Sequence, residues 1–179
     1  MFTQIKAELK INGISVNVGH DFLESIIGNI PDTPSNQALF EELADSDNYE
    51  IRKSIASKDN LNKKTVLKLL KDSNSNVVVS VLGRSDAAKH IDDEHMQELI
   101  DGNNIEILSN IASNIDSFSK CDQCKLVKKL SKHPNPKVRY GLVRWRTANA
   151  VGRNILAELA NDEDYDVAHE AKKELKRLK

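Results

Sequence analysis

The residues most suggestive of chemistry are Cys121 and Cys124, spaced Cys-x-x-Cys. Such a pair can form half of a zinc site or a redox dithiol. A structural zinc needs four ligands, and the chain has only these two cysteines. His133 follows nine residues after Cys124, with no second histidine close behind. The spacing therefore predicts two thiols at the start of a helix and no metal. The five histidines, His20, His90, His95, His133 and His169, are scattered, and His90 and His95 are five apart rather than the four that put two ligands on one helical face. Gly141 and Gly152 stand alone, so no glycine-rich phosphate loop is present, and Ser, His and Asp form no nucleophile motif. No catalytic residue and no cofactor is expected, and an enzyme is the least favoured reading.

The remaining chemistry is electrostatic. The chain has 179 residues, 26 Lys+Arg, 27 Asp+Glu and a formal net charge of −1. That balance excludes a disordered acidic tail and a uniformly basic nucleic-acid binder. It conceals an asymmetry: residues 1–50 hold two basic and nine acidic groups, 51–120 hold ten of each, and 121–179 hold fourteen and eight. Within 121–153 the only acid is Asp122, against Lys125, Lys128, Lys129, Lys132, Lys137, Arg139, Arg144, Arg146 and Arg153, with Tyr140 and Trp145 among them. Cations interleaved with aromatics can follow a phosphate backbone and stack a base. No apolar run approaches the roughly 20 residues of a membrane helix, and Phe2–Lys10 does not read as a signal peptide. With two cysteines, the expectation is a cytoplasmic chain with no membrane partner.

Helices must hold these groups, and the apolar residues recur accordingly. Leu43, Leu70, Leu99, Leu130 and Leu159 act as anchors, spaced by 27, 29, 31 and 29 residues. Eight residues after them come Ile51, Val78, Ile107, Val138 and Val167, and four further on Ile55, Leu82, Ile111, Leu142 and Ala171. Intervals of three and four mark amphipathic helices. Each copy thus predicts one helix ending near its anchor and a second starting about six residues later. Turns such as Asp72–Asn76 and His133–Pro136 lie between them, rich in residues that cap helices. A single helical pair cannot bury its stripe alone, so stacking is expected.

In Leu43-x-Asp45 with Ile51-Arg52-x-x-Ile55-Ala56, and in Leu130 with Pro134-Asn135-Pro136-Lys137-Val138-Arg139, the sequence resembles the HEAT-like and leucine-rich-repeat-variant α-solenoids. The resemblance covers residues 36 to 179 and implies a mainly α fold, an α-solenoid of about five two-helix repeats. The family pattern places Arg after the Val/Ile position. Arg52 and Arg139 match, while Val79, Leu108 and Ala168 depart. Asp at two past the anchor is kept as Asp45, Asp72 and Asp101 but becomes Lys132 and Asn161, so the Asp–Arg ladder between repeats that the family commonly shows is not expected here. Some members carry an iron–sulfur cluster bound by several cysteines, which this chain lacks. Others are DNA glycosylases, but no catalytic Asp in a recognisable motif is found here.

The N-terminus departs from the repeat. Ile5, Ala7, Leu9 and Ile11 alternate with charged residues, Asn12-Gly13 follows, and Ile14, Val16 and Val18 alternate again. Asn-Gly between such runs predicts a hairpin pairing Ile11 with Ile14, Leu9 with Val16 and Ala7 with Val18. Asp21 and Glu24 read as a capping pair for a helix through Ile30. Residues 1–34 are thus expected to form a β-hairpin and capping helix, and 35–179 one continuous helical unit. The hairpin would shield the stack's open end or offer an edge strand to a partner. Glu170–Lys179 reads as a charged terminal helix.

The helix implied to line the concave surface carries, copy by copy, Glu41 and Glu42; Lys63, Lys64, Lys68 and Lys71; Asp92, Asp93, Glu94 and Glu98; Lys125, Lys128 and Lys129; then Glu158. The sign alternates, which suits pairing between neighbours or recognition of a protein with patterned charge. The favoured expectation is a non-catalytic protein-binding module of adaptor, inhibitor or toxin-immunity type. Glu41, Glu42, Asp47, Lys64, Lys68, Asp93, Glu94 and Glu98 are its partner-binding candidates, for another protein that could be basic, such as a nuclease. The alternative is nucleic-acid binding, DNA-repair-like, through Lys125, Lys128, Lys129, Arg139, Arg144, Trp145, Arg146 and Arg153.

Overall fold

The computed structural model describes residues 8–11, 14–17, 19–144 and 147–178. These are mainly helical. Strands β1 (Glu8–Ile11) and β2 (Ile14–Asn17) pair antiparallel, with Leu9 opposite Val16 and Ile11 opposite Ile14. The Asn12-Gly13 turn and the Ala7–Val18 pair fall outside the described residues. Then come α1 (His20–Asn29), α2 (Gln37–Leu43), α3 (Tyr49–Ala56), α4 (Lys63–Leu69), α5 (Ser75–Leu82), α6 (Ser85–Ala88) and α7 (Asp93–Asp101). After them follow α8 (Ile105–Ser113), α9 (Gln123–Leu130), α10 (Pro136–Leu142), α11 (Ala148–Val151), α12 (Arg153–Leu159) and α13 (Tyr165–Arg177).

Two compact units are present, Met1–Ala87 and Ala88–Lys179. In the first, α1 packs on α3, α3 on α5, and α2 and α4 on α3. Phe40, Ile51, Ile55, Val66, Val77, Val81 and Leu82 form its dry core. In the second, α8 packs on α10, α10 on α13, and α12 on α13. Met96, Leu108, Ile111, Phe118, Leu130, Val138, Leu142 and Leu156 fill it. Aliphatic stripes suffice because each helix needs to cover only one face.

The start of α1 differs from the expected cap. The helix opens at His20 with Gly19 at the N-cap, which leaves Asp21 inside the first turn. Its end is set by Pro31, since the residue before proline disfavours the α region, and Ile30 is extended at φ −65° and ψ 126°. The carbonyls left open there are taken by Lys58, whose ammonium donates to Gly28 O at 2.8 Å and Ile30 O at 2.6 Å. It also lies 3.2 Å from Asp32.

Five helices open in the same way. The N-caps are Asn48, Asn74, Asn104, Asn135 and Asp164, each in extended backbone with its side-chain oxygen accepting the N–H two residues on. That bond satisfies a donor with no partner inside the helix. Three residues after each cap stands Ile51, Val77, Ile107, Val138 or Val167. The second copy is therefore shifted by one from the anchor count: Leu69, Val77 and Val81 occupy the equivalent places, with Leu70, Val78 and Leu82 also buried beside them. The caps of α4, α7 and α9 (Asn62, Asp92 and Asp122) instead accept from the third residue on.

Two of the five carry an arginine four residues after the cap, and both arginines make the same set of bonds. Arg52 donates through Nε and Nη2 to Asp72, at 2.6 and 3.0 Å, and through Nη1 to the carbonyls of Ser46 and Asp47. Arg139 donates to Asp162 at 2.7 Å from both nitrogens, and through Nη1 to the carbonyls of His133 and Pro134. Both aspartates stand two residues before the next cap and also accept that cap's N–H. The Asp–Arg ladder that the sequence did not lead us to expect is thus present as two complete rungs. The second uses Asp162 rather than the position of Asn161.

Between α8 and α10 the backbones meet closely. A methyl group on Gly141 would lie 2.7 Å from Ala112 Cβ and 2.9 Å from the Ser109 carbonyl oxygen. Gly28, in α1, has open space around the same position.

These contacts set two expectations. Gly141→Ala lowers the unfolding free energy by about 1–3 kcal/mol despite its better helix propensity, because overpacking against backbone outweighs a gain of under about 1 kcal/mol. Gly28→Ala, free of that clash, raises it, and urea denaturation of the two variants reads the opposite signs. The second expectation concerns acid. Hydrogen bonds from Arg139 hold the Asp162 carboxyl below the usual aspartate range, against some desolvation. Its contribution is complete above the unfolded value of about 3.9 and is lost as pH falls through the lower folded one. Asp162→Asn therefore costs about 3 kcal/mol near neutrality, where it leaves Arg139 buried without its anion. In urea titrations at several pH values the gap to wild type narrows below pH about 4.

Candidate functional site

Most of the partner-binding candidates lie on the helices that precede the capped five, with Asp47 in the turn after α2, and some of them meet opposite charges on a neighbouring helix. In the first unit Glu41 of α2 forms an ion pair with Lys64 of α4. Lys68 reaches Asp45 at 2.7 Å and the Glu41 carbonyl at 3.2 Å. The hydrogen bond that Lys64 donates to Glu41, followed by the charge of that carboxylate, raises the Lys64 pKa. Glu42 and Asp47 remain exposed.

In the second unit α7 is acidic and α9 basic. The Asp93 carboxylate accepts the N–H of Asp122 at 2.8 Å, which fixes the start of α9. Lys129 stands 3.8 Å from Asp101, a loose exposed pair. Glu94 and Glu98 are exposed on the outer side of α7. Opposite signs on neighbouring helices therefore face each other in both units. Each such exposed pair contributes only about 0–1 kcal/mol.

Among the described residues the basic 121–153 segment does not form one track. Lys125, Lys128 and Lys129 are exposed on α9. Arg144 is exposed just after α10, and Arg153 opens α12, where it donates to the Leu178 carbonyl at 3.2 Å. Arg139 must be removed from the nucleic-acid candidates. It is 6% exposed, and its guanidinium is occupied by Asp162 and two carbonyls. Trp145 and Arg146 lie outside the described residues.

The thiols and histidines have local roles. Cys121 Sγ points at the Ile91 carbonyl, 3.6 Å away. Burial, helped by Asp93 and Asp92, pushes its pKa up to about 11, so the reactive thiolate is disfavoured. Cys124 is exposed. His133 Nδ1 accepts the N–H of Asn135 at 3.1 Å, which leaves Nε2 to donate to Asn103 Oδ1 at 3.2 Å. His95 Nδ1 contacts Asp92 at 2.6 Å. Among the described residues no three His, Cys, Asp or Glu side chains converge as a metal set, and no helix is long and apolar enough to cross a membrane.

One charged surface is visible in the sequence only as a terminal cap. His169, Lys172, Lys173, Lys176 and Arg177 line a shallow open concavity on α13. Their spacing of three, four, seven and eight from His169 puts them on a single helical face, a pattern present in the sequence. Of the three acids of this helix, Asp166 stands in the first turn, before the row begins, and the other two are paired within the helix. Glu170 pairs with Lys173 at 2.8 Å, and Glu174 is turned inward, 1% exposed, where Arg177 Nε reaches it at 2.7 Å.

Comparisons with known proteins add little beyond this. No protein-family model matches the chain, and no curated protein matches it. Thirteen chains of solved structures are similar to it. Two of these are crystal structures of engineered proteins from the Northeast Structural Genomics Consortium, each 18% identical to this chain. One alignment covers 87% of this chain and 88% of the other, with a TM-score of 0.46, and the second covers 87% and 89%, with a TM-score of 0.48.

Proposed function

We propose that the chain is built of about five HEAT-like two-helix repeats, ended by the N-terminal hairpin, and serves as a non-catalytic protein-binding module. The observation that carries this reading is the distribution of charge on the helices preceding the capped five. Acidic α2 faces basic α4, and acidic α7 faces basic α9. After Glu41 is satisfied by Lys64 and Asp45 by Lys68, exposed charges of both signs remain, including Glu42, Asp47, Glu94, Lys125 and Lys128. A phosphate polymer would be repelled by the acids on the charged face of either unit. A folded protein with complementary patches would be oriented by it, gaining specificity and association rate. The five matching caps and the two rungs support the repeat architecture. An adaptor, an inhibitor and an immunity protein would all use such a surface in the same way.

Glu42 and Asp47 are better probes than Glu41, whose reversal would also break the pair with Lys64. In affinity capture from lysate of the source cell, the wild-type chain retains a specific protein with a basic surface, released by moderate salt. Glu42→Lys with Asp47→Lys reduces its retention by tenfold or more while the urea midpoint stays within the small range typical of surface changes. Equal retention by the reversed variant would remove the acidic surface of the first unit from the interface.

A further inference from the structure

The cationic face of α13 plays no part in the protein-binding reading, and the fold does not account for all of it. Cations near a helix C-terminus offset the helix dipole, but that effect is confined to about the last turn. Lys176 and Arg177 fall there, whereas His169, Lys172 and Lys173 lie one to two turns earlier. Lys172 and Lys176 are exposed and have no ion pair among the described residues. Arg153 adds a further cation at the same end, held against the Leu178 carbonyl. From His169 to Arg177 the row runs about 12 Å along the helix.

The face also has an aromatic neighbour. Helix α10 packs against α13, and Tyr140 of α10, 39% exposed, lies within electrostatic reach of Lys173. Lys137 stands one turn before Tyr140 and is exposed. At the N-terminal end of α13, Tyr165 stacks on His169 with ring centroids 5.6 Å apart. The acids Glu163, Asp164 and Asp166 surround that end, so an anionic strand would be confined to the stretch from His169 to Arg177 and across to Tyr140 and Lys137.

We propose that this face binds single-stranded nucleic acid, with Lys172, Lys176 and the neighbouring Lys137 on the phosphates and Tyr140 as a stacking platform. A cationic row beside an exposed ring is the combination that single strands use, since every base has a face to stack. Among the described residues the concavity is open and lined by one helix, which does not suit the wrapping of a duplex. A membrane surface is disfavoured because the row offers aliphatic lysine stems, with only the hydroxyl-bearing rings of Tyr140 and Tyr165 beside it and no Leu, Phe or Trp to insert. The site shares no residue with the helices that carry the proposed protein interface, the segment Lys125–Lys129 included.

Fluorescence anisotropy with a labelled oligodeoxythymidine of about a dozen nucleotides, within the range such proteins occupy, tests this on the whole chain. Binding is expected at low salt, weakening roughly tenfold to twentyfold between about 50 and 200 mM salt, as neutralising about three phosphates requires. Lys172→Glu with Lys176→Glu abolishes it, and the milder Lys172→Gln with Lys176→Gln weakens it about tenfold, both with unchanged far-UV circular dichroism. Tyr140→Ala weakens it about fivefold, the loss of one stacked base. The Glu42→Lys, Asp47→Lys variant binds the oligonucleotide at least as well as wild type, which separates this site from the protein interface. Binding that ignores the α13 substitutions, or no binding to the strand alongside sedimentation with phosphatidylserine vesicles, would overturn the proposal.

Discussion

Every turn between two antiparallel helices must satisfy the carbonyls that end the first and the amides that start the second. Here a single side chain can do much of that and also reach the following turn. Arg52 and Arg139 each place one nitrogen on two carbonyls of their own turn and two nitrogens on an aspartate belonging to the next. The aspartate in turn holds the N–H of the following cap residue. Burying charge is costly unless it is paired and hydrogen-bonded. Four directed bonds per guanidinium meet that condition. The planar fork of arginine is what allows it, and a lysine at the same position would supply the charge without the geometry.

This arrangement decides which charges remain for other work. Arg139 sits in the middle of the most basic stretch of sequence, yet it belongs to the interior, as do Asp72 and Asp162. Charges on the helices preceding the caps are partly consumed by their neighbours, through Glu41–Lys64 and Asp45–Lys68. What survives on that side is mixed in sign. On α13 Glu170 and Glu174 take up Lys173 and Arg177, while Lys172 and Lys176 stay exposed with no ion pair among the described residues.

Much of the fold was legible in the sequence because its signals are local. Intervals of three and four located the helices, clusters of Asp, Asn and Ser located the turns, and Asn12-Gly13 predicted the pairing of Leu9 with Val16 and Ile11 with Ile14. Counting from apolar anchors misled in the second copy, since Leu69 and Leu70 are both buried and only the cap at Asn74 settles which is equivalent. The same habit hid the rung at Asp162, which is defined by its distance from the Asp164 cap and not from Leu159. The charged surfaces were harder to read. Residues adjacent in the chain, such as those from Lys125 to Arg153, are divided among α9, α10 and α12. The row on α13 is contiguous only when its helical spacing is followed and Glu174 is known to face inward.

Helix α10 shows how these local rules combine. Towards α8 it offers Gly141, whose missing side chain lets two backbones approach where Ala112 and Ser109 leave no room for a methyl group. Towards α13 it offers Arg139, whose bonds to Asp162 fix the turn that starts that helix. The two contacts use different physics, close packing on one side and directed hydrogen bonds on the other, and both penalise small displacements steeply. The other three capped helices hold Val78, Leu108 and Ala168 at the place of the arginine, so apolar contact replaces the rung there. A helix gripped on both sides presents its outer residues at a fixed angle, and for α10 those residues are Lys137 and Tyr140. Their orientation relative to α13 is thus set by Asp162 and Gly141, positions that themselves contact nothing outside the core.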